Sequence, residues 1–338
     1  MPLNNSQDKC RQPASPFAKG GLRGILRTSN PPYPTFAKRE SSFLKIVKRH
    51  KKNNLQSGFT LVEMIIVIVI TGIIGAIVAM FLRAPVQGYV DSARRAELTD
   101  IADTAMRRLA RDVRTAVPNS VRIANCGATP CVEFLPTKDG GRYRANTPGD
   151  VLNFGVADGR FDIVGTAINF AANDAIIVGS TQSDGTPPYD ATANGVKRDY
   201  AGAAGAQSSV VITNNVGFPT WAELTSQRFD VVDGTQQAVT YACVATGGGA
   251  CAAINGNGNC QLVRYSAYGF NTVQALPATA NPPILADRIS ACAIEYLIPA
   301  NPATSAFARF GLLTVRLRLT SGGESVSLYN EIHVNNAP

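Results

Sequence analysis

From Phe59 to Leu82 the chain reads FTLVEMIIVIVITGIIGAIVAMFL, 24 residues with one charge, Glu63. As an α-helix at about 1.5 Å per residue the run is about 36 Å long. That spans a hydrocarbon core of about 30 Å with some tilt. No other feature restricts the fold as strongly, because in lipid the backbone polar groups of such a run must be satisfied within it. The flanks set a direction. Lys48, Arg49, His50, Lys51 and Lys52 precede the run and Arg83 follows it. The positive-inside bias then places the N-terminus in the cytoplasm and the residues after Arg83 outside. The run is longer than the apolar part of a secretory signal, and no A-x-A-like site follows Leu82. Glu63 is the anomaly. A carboxylate at a bilayer's centre costs about 2.5–3.5 kcal/mol even on lenient insertion scales, and a plain anchor has no use for one.

Charge and cysteines agree with this topology. The net charge of +8 is local: of 32 Lys/Arg and 24 Asp/Glu, 12 and 2 fall in residues 1–58, leaving 20 and 22 beyond. A nucleic-acid reading of the basic pI loses its support, and no nucleic-acid partner is expected. Cys10 precedes the run. Cys126, Cys131, Cys243, Cys251, Cys260 and Cys292 follow it, an even number that suits disulfides in an oxidising compartment. Free thiols and metal ligation are the other readings. Metal is the weakest, since the only histidines are His50 and His333 and neither is near Cys126 and Cys131. Pairing is not readable from sequence; Cys126 with Cys131 is the most local choice.

Helical periodicity continues past the run. Leu98, Ile101, Ala105, Leu109, Val113 and Ala116 recur at spacings of three and four, one apolar helical face. Asp103 with Arg107 and Arg108 with Asp112 stand at i, i+4 on the other face. Pro118-Asn119-Ser120 ends the pattern, and Pro85 is expected to kink it. Beyond Pro118 the segments SVRIAN, CVEFLPT, GRYRA, AIIVGS, SSVVITN, QRFDVVD, AVTYACVA, CQLVRYSAYGF and GLLTVRLRLT read as strands. Lys138–Gly141 (KDGG) and Ser321–Glu324 (SGGE) read as hairpin turns. GSTQSDGTPPYDATANG and ATGGGACAAINGNGNC read as surface loops rather than core. The fold class is α+β: a basic segment 1–58, a membrane helix 59–82, its amphipathic continuation 83–117, and a β-rich domain 118–338.

Gly58-Phe59-Thr60-Leu61-Val62-Glu63, with its basic upstream flank and its helix that turns amphipathic, resembles the processing signal of type IV prepilins and pseudopilins. The resemblance implies that a prepilin peptidase/methyltransferase cuts after Gly58 and methylates the new amine of Phe59. It implies that Glu63 pairs with an N-terminal amine, its own or a neighbour's, and so sets subunit registry. An ammonium and a carboxylate are each costly in the membrane alone and less so together. The bland alternative is a carboxylate snorkelling to the interface. Longer stretches, including RRLARDVRTAVPNSVRI, CQLVRYSAYGF, ISACAIEY and NEIHVNN, look like the O-type minor pilins of mannose-sensitive haemagglutinin (MSHA) pilus biogenesis. These are broadly similar to the J-type minor pseudopilins of type II secretion. The likeness implies a pilin-type globular domain, no cofactor, and three kinds of partner: the peptidase, other major and minor pilins, and an inner-membrane assembly platform. The 58 residues before Phe59 exceed the usual leader of this family. Either the leader is long, or translation starts further in, and a start at Val47 would leave the short basic leader VKRHKKNNLQSG.

Three other readings compete: an enzyme on a membrane anchor, a ligand-binding pilin, and a J-type minor pseudopilin that serves type II secretion of other proteins. A hydrolase needs a nucleophile–His–acid set or a metal site. Only His333 lies in the exported part, no G-x-S-x-G, H-E-x-x-H or P-loop occurs, and Asp158 and Asp184 fall in turn sequences. No enzymatic activity is expected. An adhesive or nucleic-acid-binding pilin could use Arg107, Arg108, Arg111 and Arg114, but the interleaved acids suggest a paired or packed face.

Overall fold

The protein was analysed as a computed structural model that describes residues 58–182, 186–213, 216–278, 281–297 and 310–337. Expectations for the basic segment up to Ser57, including Cys10, Val47 and His50, lie outside these residues, as does Asp184. The chain falls into two units, Met1–Met64 and Ile65–Pro338. Of the first, residues 58–64 are described, and they hold the start of helix α1 (Leu61–Arg114). After α1 come β1 (Arg122–Asn125), β2 (Pro130–Phe134), β3 (Thr137–Tyr143), β4 (Arg160–Val164), β5 (Ile168–Phe170) and β6 (Ala175–Val178). Next are β7 (Lys197–Asp199), β8 (Gly205–Gln207), β9 (Ser209–Val211) and β10 (Arg228–Val232). The chain ends through β11 (Val239–Ala245), β12 (Ala253–Ile254), β13 (Asn257–Gly258), β14 (Cys260–Tyr265), β15 (Ile284–Leu297), β16 (Phe310–Ser321) and β17 (Glu324–Asn335).

The α+β reading holds. The strands form a seven-stranded sheet in the order β1-β2-β11-β14-β15-β16-β17 and a six-stranded sheet in the order β7-β6-β10-β3-β4-β9. Two small pairs, β12-β13 and β5-β8, complete the set. One face of the seven-stranded sheet packs on α1. The helix buries Leu98, Ala102, Ala105, Met106, Leu109, Ala110 and Val113 against residues such as Phe134, Tyr241, Leu262, Leu317 and Ile332. The stripe is wider than the sequence pattern: Ile101 and Ala116 stand at its half-buried margin, while Ala102, Met106 and Ala110 lie inside it. Each large side chain buried this way contributes about 1.5–3 kcal/mol. The six-stranded sheet builds a second core around Phe161, Phe229, Tyr143 and Phe170.

Three local readings are corrected. Lys138–Gly141 is not a turn; it lies inside β3, paired with β10. The two glycines serve packing, since a Cβ at Gly141 would sit 2.7 Å from Ile168 Cδ1 and 2.9 Å from the Phe229 ring. In the segment read as a polar surface loop, Pro187, Pro188 and Tyr189 form a 3-10 turn and are buried. The Tyr189 hydroxyl donates to Ser120 O at 2.9 Å, which satisfies its polar tip. The strand ILADRISACAIEYL, β15, was not on the list of expected strands. By contrast, Ser321–Glu324 does turn the β16–β17 hairpin, with Gly322 and Gly323 at φ 58° and 87°, the left-handed conformation such tight hairpins need.

Three disulfides are formed: Cys126–Cys131, Cys243–Cys292 and Cys251–Cys260. The first holds the β1–β2 turn, the second ties β11 to β15, and the third closes the loop that carries β12 and β13.

Candidate functional site: the start of the helix and its surroundings

The residues at the start of α1 are exposed. Phe59 is 82% exposed. A Cβ at Gly58 would meet nothing within 4 Å, and its backbone is not in the left-handed region. No contact among the described residues requires glycine there.

What starts the helix is Thr60. Its Oγ1 accepts the backbone N–H of Glu63 at 3.2 Å, and its carbonyl accepts the N–H of Met64, also at 3.2 Å. Thr60 is therefore the N-cap and Glu63 stands at the third helical position, the T-x-x-E spacing of a capping box. An acid in the first turn also faces the positive end of the helix dipole. The sequence reading missed this local use of Glu63, although TLVE was the signal that carries it. The side chain of Glu63 is exposed and so open to a partner.

From Leu61 onward α1 is long and apolar enough to cross a membrane. No residue of its most apolar stretch is buried within the protein. The helix continues through Pro85, with an open hollow beside it lined by Ala76, Ile77, Met80, Phe81 and Ala84. Thr71 and Ser92 return their hydroxyls to Val67 O and Gly88 O, at 2.7 and 2.8 Å, so neither leaves a bare polar group on the helix surface.

The amphipathic half is clamped to the sheet by charge as well as by its apolar stripe. Asp112 accepts from Arg264 Nε at 2.9 Å and from the Tyr241 hydroxyl at 2.7 Å. Burial, and then the Asp112 carboxylate, raise the Tyr241 pKa above its ordinary value. Arg95 donates to Glu324 at 2.6 Å and Arg288 to Glu97 at 2.8 Å. The Asp103–Arg107 pair is present at 2.6 Å. The expected Arg108–Asp112 pair is not: β11 and β14 have taken Asp112. Arg107, Arg108, Arg111 and Arg114 are all exposed, so the face is not packed, while the expected pairing holds for Arg107 through Asp103.

The remaining candidates take structural places. Asp158 accepts from the backbone N–H and the Nδ2 of Asn153, at 2.8 and 3.0 Å, the turn role expected of it. His333 is exposed on β17. Among the described residues no group of three His, Cys, Asp or Glu is placed to hold a metal ion.

A profile of the prokaryotic N-terminal methylation motif matches residues 53–79. The chain carries a prokaryotic N-terminal methylation motif. The motif covers Gly58, Phe59 and Glu63 together with most of the apolar run, and it supports the prepilin/pseudopilin class. It implies processing by a prepilin peptidase and assembly with other pilins. With the apolar helix it supports membrane anchoring. No curated protein and no solved structure matches the chain.

Proposed function

We propose that the protein is a minor pilin of an MSHA-type type IV pilus, cut between Gly58 and Phe59, methylated on Phe59, and used to initiate or cap the filament with other minor pilins. Its role is stoichiometric rather than catalytic. Residues 1–58 are the leader, 59–82 the membrane span, 83–117 its amphipathic continuation and 118–338 a periplasmic domain. The N-terminus is cytoplasmic before cleavage, and the inner-membrane assembly platform receives the processed subunit.

One observation carries the reading. A glycine that no contact among the described residues requires stands inside a matched methylation motif, directly before the exposed Phe59. A glycine with no packing role among those residues, placed within this motif, supports cleavage after it. Mass spectrometry of the protein from cells with an active prepilin peptidase tests this. The expected mature chain has 280 of the 338 residues and one methyl group on Phe59. Gly58→Trp should accumulate uncut in the membrane. An uncut native chain, or cleavage elsewhere, would overturn the reading.

A further inference from the structure

Away from the helix, the outer face of β15–β17 carries a trough. Two adjoining hollows of about 340 and 330 Å³ share Ala291 and Arg318. Their floor is small: Ala291 and Ala293 lie opposite Arg318 and Arg316 in the ladder. One wall is the β12–β13 hairpin, through Ala253 and Gly256. That wall is preformed. The Cys251–Cys260 disulfide closes its loop, Gly323 N–H donates to Gly256 O at 2.9 Å, and Gly322 N–H donates to Asn257 Oδ1 at 3.1 Å.

The polar groups of the trough are arranged unequally. Arg318 is exposed; among the described residues it has no ion-pair partner and no carboxylate lines either hollow. Arg316 stands over the Tyr329 ring, 5.6 Å from its centroid. Beside Arg318 runs a chain of hydroxyls. Ser290 Oγ donates to Arg318 O at 3.2 Å and lies 2.7 Å from Thr320 Oγ1, which lies 2.9 Å from Ser325 Oγ. Each hydroxyl has one hydrogen to give. In the arrangement where Ser290 gives its own to the carbonyl, Thr320 donates to Ser290 and Ser325 to Thr320. The exposed Ser325 oxygen then faces the trough as an acceptor.

We propose that this trough binds an acidic saccharide, with a carboxylate or sulfate on Arg318 and a neighbouring sugar hydroxyl donating to Ser325. A guanidinium fork suits a planar or tetrahedral oxyanion. The Ser325 acceptor calls for an O–H donor beside it, which a simple anion or an acidic side chain does not offer. A peptide strand would seek a free backbone edge, whereas this floor is a sheet face of side chains. The site does not depend on the pilin reading, and its test leaves that reading untouched.

Binding is measured by calorimetry on the full chain in nanodiscs. The probes are a galacturonate tetrasaccharide, a sulfated heparin tetrasaccharide, a neutral cellotetraose and tetraglutamate. One of the two acidic saccharides should bind, and which one identifies the oxyanion. Arg318→Gln should weaken it about tenfold or more. Ser325→Ala should weaken it by a smaller factor, and Ala291→Leu should block the floor with the charge intact. Arg111→Gln, on the exposed helix face, should leave binding unchanged. Unchanged melting temperatures establish that the variants fold. The proposal is overturned by no binding of either acidic saccharide, by equal binding of cellotetraose or tetraglutamate, or by undiminished binding in Arg318→Gln.

Discussion

Asp230 should give the fold a pH dependence of its own. In β10 it lies between Ile177 of β6 and Gly140 of β3. Burial pushes its pKa from 3.8 up to about 6, and Arg228 offsets only part of the shift. The folded protein therefore holds this proton more tightly than the unfolded chain does. The burial cost is absent below about pH 4, grows as the pH rises to about 6, and persists above. Asp230→Asn should stabilise the protein by about 1–3 kcal/mol at pH 8 and by nothing measurable at pH 3.5, read from urea midpoints at the two pH values. At the other end of the chain, one substitution separates the cap role of Glu63, which its backbone fills, from the pairing role proposed for its carboxylate. The cap bond runs from the Glu63 backbone to Thr60, so Glu63→Ala keeps it while losing the carboxylate. We expect Glu63→Ala to fold, insert and be cleaved, and to lose co-purification with other pilins. Undiminished recovery of those partners would show that the carboxylate pairs with nothing. Thr60→Val should instead loosen the helix start by about 1 kcal/mol and leave association largely intact, as seen by hydrogen exchange of the first turn. Gly58, Phe59 and Glu63 stand out in the sequence because they fall within one short motif that is local in the chain. Asp230 does not, because its environment is made by strands far away in sequence.

Among the elements, α1 was read nearly to its ends, since a long periodic run carries its own evidence. The strands were less legible where packing overrides local chemistry. Lys138–Gly141 has turn composition but is held extended by β10, with glycines that make room for Phe229. Pro187–Tyr189 has loop composition, but burial of Tyr189 makes it core. The same override redirects charge. Asp112 is paired across the helix–sheet interface rather than along the helix, and its partners are largely shielded, with Arg264 12% exposed. Asp112→Ala should cost about 1–3 kcal/mol by stranding Arg264 and Tyr241. Arg107→Ala, which breaks only the exposed Asp103 pair, should cost under about 0.5 kcal/mol. Thermal unfolding of the two variants side by side measures the difference. The disulfides should rank by the loop each closes. Cys243–Cys292 spans a separation of 49 residues and Cys126–Cys131 one of 5. Replacing the first pair by alanines should cost about 2 kcal/mol more than replacing the second on the chain-entropy account. Equal losses would point to native packing rather than loop closure as the source of stability.

At the scale of the whole molecule, the long helix and the last strand run the same way. Arg95 meets Glu324 near the start of β17. Asn119, just past the end of α1, bonds Asn336 just past the end of β17, with Asn119 Nδ2 donating to Asn336 O at 3.1 Å. A pull along α1 therefore loads its contacts from Leu98 to Val113 in shear, all at once, instead of peeling them apart in turn. The disulfides then limit how far the chain can give way. Because β11 is bonded to β15 through Cys243 and Cys292, the 49-residue separation between them cannot extend under tension. At about 3.4 Å per residue that withholds about 170 Å of contour length. In single-molecule stretching, adding reductant should lengthen the fully extended chain by about that amount from this loop, once Cys243–Cys292 and the Cys251–Cys260 bond nested inside it are both open. The oxidised protein would behave as a tether with a built-in stop.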